Sequence, residues 1–283
     1  FCLSRGLGDV YKRQSLKSEV VVVIKLDSVI NVSALELIKE GMDNAHKLAA
    51  KAIVLLLDTP GGLLDATFDI VTLIEQSSIP IISFVYPKGA KAWSAGTIIV
   101  LSSHVAAMAP HSIIGSCQPR AYPSGELIDD PKLVNSLTEF LMQKAEMHSR
   151  NEMIVARFVK ENLNIRAEDA RNFNVIERVA STIEELLEIV DGISVELAEK
   201  GLVTIQTRNA EIHYFGPSMR VRVLRIISDP TIAYLLFILG VYGIIFGFLT
   251  VGYAGEIVGG ILLILGLIGL GFYLDLFVTV LLI

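Results

Sequence analysis

Apolar runs alternate with amphipathic segments through the first two thirds of the chain. Runs without polar alternation are typical of strands buried on both faces, and they cover Val20–Leu26, Ala52–Asp58, Ile79–Tyr86 and His104–Ala109. Residues 32–50 and 63–76 lie between these runs, and the first of them has the period of a helix with one apolar face. Strands that alternate with helices predict an α/β domain with a mostly parallel sheet, covered on both faces.

Two consecutive strand ends carry the candidate chemistry. The run ending at Asp58 continues into Thr59-Pro60-Gly61-Gly62, whose glycines allow a tight turn and leave bare N–H groups before the next helix. After the next strand and a turn, small residues flank Ser94 in Trp93-Ser94-Ala95-Gly96. Adjacent strand ends would place the Ser94 hydroxyl beside the Gly61 and Gly62 amides, as acyl transfer requires. Taken singly, the glycines are more typical of a plain turn and the serine of a helix N-cap.

Three segments taken together resemble the NfeD-like membrane-bound serine proteases, the stomatin-operon-partner type: Leu57–Gly62, Trp93–Thr97 and Met108–Pro110. The resemblance covers roughly Glu19 to the C-terminus and implies a protease domain of the Clp-protease/crotonase type, followed by transmembrane helices. It also implies that Ser94 is the nucleophile and that Lys132 is the general base.

Lys132 stands at a predicted helix start, after the loop 115–130. Asp130 is the expected N-cap and Pro131 the first helical residue. The positive end of the helix dipole favours the neutral amine that a base needs, whereas Asp129 and Asp130 favour the ammonium form. The sequence leaves that balance open.

Other lysines are less suited to the role of base. Lys88 and Lys91 fall in the predicted polar turn before Ser94, where an amine stays hydrated and charged. Lys144 lies twelve positions after Lys132, roughly 18 Å along the same predicted helix.

Histidines and cysteines offer one alternative site. His104 and His111 flank the strand and turn that follow Ser94, so a Ser-His-Asp arrangement stays open. No His/Cys/Glu spacing indicates zinc, and no metal or other cofactor is predicted. Outside the first 14 residues Cys117 is the only cysteine, which predicts no internal disulfide and a buried or semi-buried loop position rather than a catalytic thiol.

The chain after Asn151 is predicted to close the protease domain and then to reach a membrane. Helices and one short strand, Val175–Val179, end the domain, for which we predict the bounds 15–191. Residues 192–228 are predicted as a small β region with a hairpin of Leu202–Thr207 and Glu211–Phe215, followed by a basic juxtamembrane segment from Pro217 to Ser228.

Residues 229–283 are predicted as transmembrane. Thr231–Thr250 and Ala254–Leu274 have spanning length, and Leu276–Ile283 begins a third, truncated span. A buried helical hairpin of a soluble core is the less favoured alternative. Three arginines, Arg220, Arg222 and Arg225, would place the soluble domain in the cytoplasm by the positive-inside rule. The resemblance implies a signal peptide and an extracytoplasmic domain, which we favour because long domains translocate largely regardless of flanking charge.

Composition agrees with one soluble domain plus a membrane part. The chain has 283 residues, of which 52% are hydrophobic and 19% charged, with mean hydropathy +0.58. A net charge of -6 and a pI near 5.4 argue against a nucleic-acid partner. Residues 1–14 end in a sequence that matches a translated sequencing adapter, so we exclude them as an artefact; a genuine disordered tail is the alternative.

These observations predict a membrane-anchored serine endopeptidase with a Ser-Lys dyad. The resemblance implies cleavage in apolar segments, stomatin-like membrane proteins as substrates or partners, and a homodimer or larger assembly. Two alternatives stay open. One is a non-catalytic membrane organiser that binds such partners, and the other is a crotonase-type acyl-CoA enzyme, which shares glycine-built oxyanion holes.

Overall fold

The computed structural model describes residues 19–121, 124–249 and 253–271. At its centre lies a six-stranded sheet formed by β1 (Val20–Leu26), β2 (Ala52–Leu57), β3 (Ile81–Val85), β5 (Val105–Met108), β8 (Arg178–Val179) and β11 (Glu211–Tyr214). The strand order is β11-β1-β2-β3-β5-β8, and each of these pairings is parallel. The predicted α/β fold with a mostly parallel sheet is therefore confirmed.

Two small sheets accompany the central one. The first contains β4 (Lys91–Trp93), β6 (Ile113–Gly115) and β7 (Asn164–Arg166), and the second pairs β9 (Ser194–Leu197) with β10 (Gly201–Thr204). The helices are α1 (Val32–Lys47), α2 (Leu64–Glu75), α3 (Ala95–Ser102), α4 (Pro131–Met147), α5 (Glu152–Lys160), α6 (Ala167–Asn172), α7 (Ile183–Val190), α8 (Met219–Ile227), α9 (Pro230–Leu249) and α10 (Ala254–Gly269).

The continuous apolar runs fit the sheet because both of its faces are covered. In β2 all six residues are buried, with Ile53 and Leu55 in one core and Val54 and Leu56 in the other. Helices α1 to α6 contribute to the first core, whereas α7 and the β9–β10 pair contribute to the second. Strands without polar alternation are the expected consequence of such two-sided burial.

The predicted helix start before Lys132 is confirmed. The Asp130 side chain accepts a hydrogen bond from the Lys132 N–H at 2.9 Å, and Pro131 begins α4. This capping fixes where the loop after β6 ends and α4 begins.

The predicted hairpin of residues 202–207 with 211–215 is wrong. β10 pairs with β9 instead, antiparallel, while β11 extends the central sheet beside β1. β11 pairs along the outer side of β1, and the Glu211 N–H donates to the Glu19 carbonyl at 2.7 Å. The predicted domain boundary at Asp191 stays a prediction, and the sheet itself continues to Tyr214.

The sequence did not predict the short strands correctly. β4 was predicted as part of a turn and of the serine segment, yet Lys91 pairs in parallel with Ile113. The predicted strand 175–179 is a strand only at Arg178–Val179, because Val175 and Ile176 are buried in the core in a non-strand conformation. A segment of three residues is too short to show a period in its sequence.

The antiparallel pair α9 and α10, here called the membrane hairpin, ends the described chain. α9 has 20 residues and a mean hydropathy of 2.4, and by length and composition it is the one described helix able to cross a membrane. α10 has 16 residues. The predicted spans run on to Thr250 and Leu274, which lie outside the described residues, as do the predicted third span at 276–283 and the excluded residues 1–14.

Candidate active site

Ser94 lies where β4 turns into α3. Its φ of 50° and ψ of −113° are unusual for a residue with a side chain, and its N–H donates to the Gly115 carbonyl at 3.1 Å. The side chain makes no capping hydrogen bond, although Ser94 occupies the N-cap position of α3. A plain N-cap role is therefore disfavoured, and backbone strain at such a residue is typical of functional sites.

The glycine turn after β2 lies directly against Ser94. The Trp93 N–H donates to the Thr59 carbonyl at 3.2 Å, and the Thr59 N–H donates to the Lys91 carbonyl at 2.7 Å. Gly61 has a φ of +116°, and a Cβ added there would lie 2.8 Å from the Ser94 Cβ. Only glycine therefore fits at Gly61 beside the serine.

The two glycine amides differ in their partners. The Gly61 N–H is buried and donates to Thr59 Oγ1 at 3.1 Å. Gly62 is exposed, and its N–H has no acceptor among the described residues. A further N–H group comes from Ala95, in the first turn of α3, where helix amides lack partners within the helix. Sequence reasoning missed Ala95, although its place after a serine at a helix start was the available signal.

Ser94 and Gly62 line a cavity of about 520 Å³. Apolar side chains of Leu63, Trp93, Ile98 and Leu137 form much of its wall, and Arg120 is the one charged side chain among the described residues that line it. Residues at the base of the membrane hairpin complete the lining: Ser228, Pro230, Gly269 and Leu270. The cavity thus suits an uncharged peptide segment beside a nucleophile.

Lys132 does not line this cavity. Its side chain is exposed on the first turn of α4, while Leu137 on the same helix does contribute to the wall. The structure therefore brings Ser94, Gly61 and Gly62 together and leaves Lys132 outside. The Lys91 side chain also does not line the cavity, but its Nζ is 5.0 Å from the ring centroid of Trp93, which does.

Lys144 and Lys88 do not line the cavity either. Lys144 is buried and forms an ion pair with Glu75, and its Nζ lies 4.8 Å from the Phe140 ring centroid. Lys88 is exposed in the turn before β4.

No described histidine lines the cavity. His104 lies just before β5, at the edge of the sheet opposite the glycine turn, and its Nδ1 accepts from the Ile81 N–H at 3.1 Å. Burial, reinforced by the Arg150 charge, lowers the pKa of His104 to about 4. His111 is exposed in the turn after β5. Nothing in the described residues supports the Ser-His-Asp alternative.

Cys117 is buried behind the serine, as predicted. Its Sγ lies 3.7 Å from the Ser94 carbonyl oxygen, and burial raises the pKa of the thiol to about 12 although a hydrogen bond with Thr97 acts in the opposite direction. A protonated thiol is a poor nucleophile, so Cys117 packs against the site rather than reacting there.

A buried ion pair holds the far end of α3. The Arg150 guanidinium donates to the Leu101 carbonyl at 2.6 Å and the Ser103 carbonyl at 2.9 Å, and it forms a two-point pair with Glu177. A cation at a helix C-terminus is favoured by the helix dipole and satisfies carbonyls that lack partners. Arg150 therefore helps to fix the helix that begins beside Ser94.

Comparisons with known proteins identify the family of this chain. The sequence model of the family described as NfeD1b, N-terminal domain, matches residues 20–214. The membrane-bound protease PH1510 of Pyrococcus horikoshii is 39% identical over 263 residues, which is 91% of this chain and 60% of that protein. The chain thus spans less than two thirds of that relative.

Two solved structures have a similar fold. One is 1510-N, a membrane-bound stomatin-specific protease, as a lysine-to-alanine mutant with a substrate peptide; it has a TM-score of 0.70, 35% identity, and coverage of 75% of this chain and 99% of that chain. The other is a serine-to-alanine mutant of the same protease, with a TM-score of 0.67, 36% identity, and coverage of 71% and 99%. Their similarity over about three quarters of this chain supports the predicted α/β fold.

Proposed function

Because the chain belongs to the NfeD1b N-terminal domain family, we propose that it is a membrane-anchored serine endopeptidase in which Ser94 is the nucleophile. One observation carries the proposal: Ser94 has a strained backbone conformation at the start of α3 and contacts the glycine turn where both line a cavity. The similarity to a protease that was solved as a serine mutant and as a lysine mutant supports it.

The reaction needs an acid–base group, a nucleophile and an oxyanion site. Ser94 Oγ attacks the peptide carbonyl carbon while Lys132 accepts the hydroxyl proton, and the carbonyl oxygen becomes an oxyanion. Collapse of this intermediate breaks the C–N bond, and the Lys132 ammonium protonates the leaving amine. Water, deprotonated by Lys132, then hydrolyses the acyl-enzyme.

The oxyanion is held by the N–H groups of Gly62 and Ala95. Gly62 is exposed at the cavity and Ala95 adds the positive end of the α3 dipole. Gly61 was expected to donate as well, but its N–H is bonded to Thr59 Oγ1, so we assign it the role of shaping the turn.

Lys132 can serve as the base only if the first turn of α4 folds over the cavity. Leu137 already lines the wall and the preceding loop contributes Arg120 and Gly125, so a bound peptide would contact both segments. Catalytic contacts that are long in a free enzyme commonly tighten in the substrate complex. The substrate complex of the relative's lysine mutant supports the same role for a lysine.

We extend the proposal to partners and location. Substrates are apolar segments of membrane-associated proteins, and stomatin-like proteins are candidates because the similar 1510-N is described as stomatin-specific. The chain is proposed to cross the membrane more than once, with the protease domain on the extracytoplasmic side, and to form a homodimer or a larger assembly.

The decisive experiment is labelling by a fluorophosphonate together with a peptide-cleavage assay on the full chain in detergent. Ser94→Ala is expected to abolish both, because the nucleophile is lost. Ser102→Ala is the matched control, since Ser102 lies at the other end of α3 and its hydroxyl has no partner among the described residues. Equal labelling of wild type and Ser94→Ala would favour the alternative of a non-catalytic membrane organiser.

A further inference from the structure

The cavity around Ser94 has walls from two parts of the chain. The protease domain supplies Ser94 and Gly62, and the base of the membrane hairpin supplies Pro230, Gly269 and Leu270. Here "hairpin base" means these three residues with Ser228. If the membrane hairpin only tethered the domain, its residues would not be expected to line the cavity that contains Ser94.

If α9 spans the bilayer, its dimensions place the hairpin base at the level of the bilayer surface. α9 begins at Pro230 and has 20 residues, so its length of roughly 30 Å equals the hydrocarbon thickness, and its first residue lies at one boundary. α10 runs antiparallel and returns to the same level, where a Cβ on Gly269 would lie 2.8 Å from the Ala233 Cβ. The cavity therefore opens at the interface between the lipid and water.

Helix α8 gives an independent indication of the same orientation. Met219, Val223 and Ile226 recur at i, i+4 and i+7, so they share one face, and all three are more than half exposed. Val221, on the opposite face, is buried in the core of the protease domain. A basic helix with an exposed apolar stripe, three residues before a membrane span, is typical of a helix that lies on a bilayer.

Polar contacts hold α8 and the hairpin base to the protease domain. Arg225 pairs with Asp27, and Arg220 pairs with Glu36 at 3.1 Å. Asn31 Nδ2 donates to the Ser228 carbonyl at 3.1 Å, and the Asn31 side chain also caps α1. These contacts fix α8 and the hairpin base against the protease domain.

The hairpin also contacts the turn that carries the oxyanion donor. A Cβ added to Gly271, just after α10, would lie 3.2 Å from Cδ1 of Leu63. Leu63 follows Gly62 directly and lines the cavity as well. The end of the hairpin and the catalytic turn are therefore in contact.

We propose that the hairpin base is part of the substrate-binding cavity, and that the protein cleaves a peptide segment at the bilayer surface, next to the point where the segment leaves the membrane. Leu270 and Pro230 then act as specificity-determining residues. This inference rests on the proposed protease function, because it uses Ser94 as the reacting group.

The first test measures how far Ser94 lies from lipid. The full chain in lipid nanodiscs is treated with a fluorophosphonate attached to a phosphatidylethanolamine headgroup through a linker of about 10 Å or about 50 Å, since each headgroup layer is only about 6 Å thick. We expect labelling of Ser94 by the short-linker probe within about threefold of the rate for the long one. More than about tenfold slower labelling by the short-linker probe would overturn the inference.

The second test changes the hairpin base alone. Leu270→Trp should slow labelling by a bulky soluble fluorophosphonate that carries an apolar tripeptide by about tenfold, and should leave the small diisopropyl fluorophosphate within about twofold. Ile261→Trp, at an exposed position of α10, is the matched control. Equal labelling rates for both variants with the bulky probe would show that Leu270 does not line the substrate-binding cavity.

The two proposals fail differently. If no probe, soluble or lipid-attached, labels Ser94 in the wild-type chain, the protease function itself is overturned. If the soluble probes label Ser94 and the short-linker lipid probe does not, only the position at the bilayer surface is overturned. The lipid-probe series uses the wild-type chain, so it decides the matter even if Leu270→Trp fails to fold.

Discussion

The Thr59 hydroxyl decides which amide in the glycine turn is free. It accepts from the Gly61 N–H at 3.1 Å, and Thr59 is fully buried. Thr59→Val keeps the shape of the side chain but leaves that N–H without its acceptor, which costs about 1–3 kcal/mol and loosens the turn. We expect peptide turnover to fall by about tenfold, because small displacements of an oxyanion donor are costly.

Thr138→Val is the control for this change, since the Thr138 hydroxyl is also buried but bonds only the Val134 carbonyl within α4. It should leave turnover unchanged. A rise in turnover for Thr59→Val would mean that the released Gly61 N–H donates to the oxyanion, as first expected from the sequence.

The identity of the base is a second question at the scale of residues. Lys132→Ala should abolish turnover, and Lys132→Arg should be nearly inactive because a guanidinium does not release its proton. Lys91→Ala should retain turnover within about threefold, since the role of Lys91 is a cation–π contact with Trp93 worth about 1 kcal/mol. Single-turnover kinetics of acylation would measure both. Loss of acylation in Lys91→Ala with normal acylation in Lys132→Ala would reverse the assignment.

Some of these residues could be predicted from sequence and others could not. The glycines follow the long apolar run of β2, and Ser94 lies among small residues after the next long run and a turn, so the sequence could predict that they lie close together. Thr59 and Arg150 have no such signal, because their roles depend on contacts with Gly61 and with the end of α3 that only the folded chain creates.

At the scale of elements, glycines allow α9 and α10 to approach closely. A Cβ on Gly243 would lie 2.8 Å from the Gly259 Cα, and a Cβ on Gly259 would lie 2.5 Å from the Ile244 nitrogen. Small residues at such positions are the usual basis for helix association in membranes. The close contact also holds the hairpin base together beside the cavity.

Gly259→Leu should therefore force the two helices apart. Gly260→Leu is a matched control, because a Cβ on Gly260 meets nothing within 4 Å. We expect the Gly259 variant to unfold at a lower detergent concentration in a sodium dodecyl sulfate titration followed by circular dichroism, with a loss of about 1–3 kcal/mol from overpacking. Equal midpoints for the two variants would contradict the packing of α9 against α10.

Elements were predicted well where they were long. β1, β2 and β3 are runs of apolar residues, and their burial on both faces follows from composition alone. The pairing of β11 with β1 was missed because the paired residues Val23 and Tyr214 lie 191 positions apart in the sequence. The nearby β10 suggested a local hairpin with β11, but β10 pairs with β9.

At the scale of the whole molecule, two polar regions lie at opposite ends of the strands of the central sheet. The glycine turn and Ser94 lie at the carboxyl ends of the strands, whereas His104, His148, Arg150 and Glu177 cluster towards the amino end of β5. The His104 and His148 ring centroids are 6.2 Å apart. The second cluster is therefore suited to holding the fold and α3 in place, away from the substrate.

This cluster predicts how stability depends on pH. Burial, together with the Arg150 charge, lowers the pKa of His104 to about 4 and that of His148 to about 3, and the charges of His104 and Lys144 add to the effect on His148. An unfolded chain has histidines with pKa near 6.5. Between pH 6.5 and about 4 the unfolded state thus binds more protons than the folded state, so stability must fall as the pH falls through this range.

His104→Asn should reduce that fall. The Asn side-chain oxygen can accept from the Ile81 N–H in place of Nδ1 without gaining a proton. Because one pKa unit corresponds to about 1.4 kcal/mol, the variant should lose roughly 1–2 kcal/mol less stability than the wild type between pH 7.5 and pH 5. His111→Asn is the control, since His111 is exposed and its φ of 63° suits asparagine. Urea unfolding of the full chain in detergent at the two pH values measures the difference, and identical losses for wild type and His104→Asn would show that His104 is not held neutral in the folded protein.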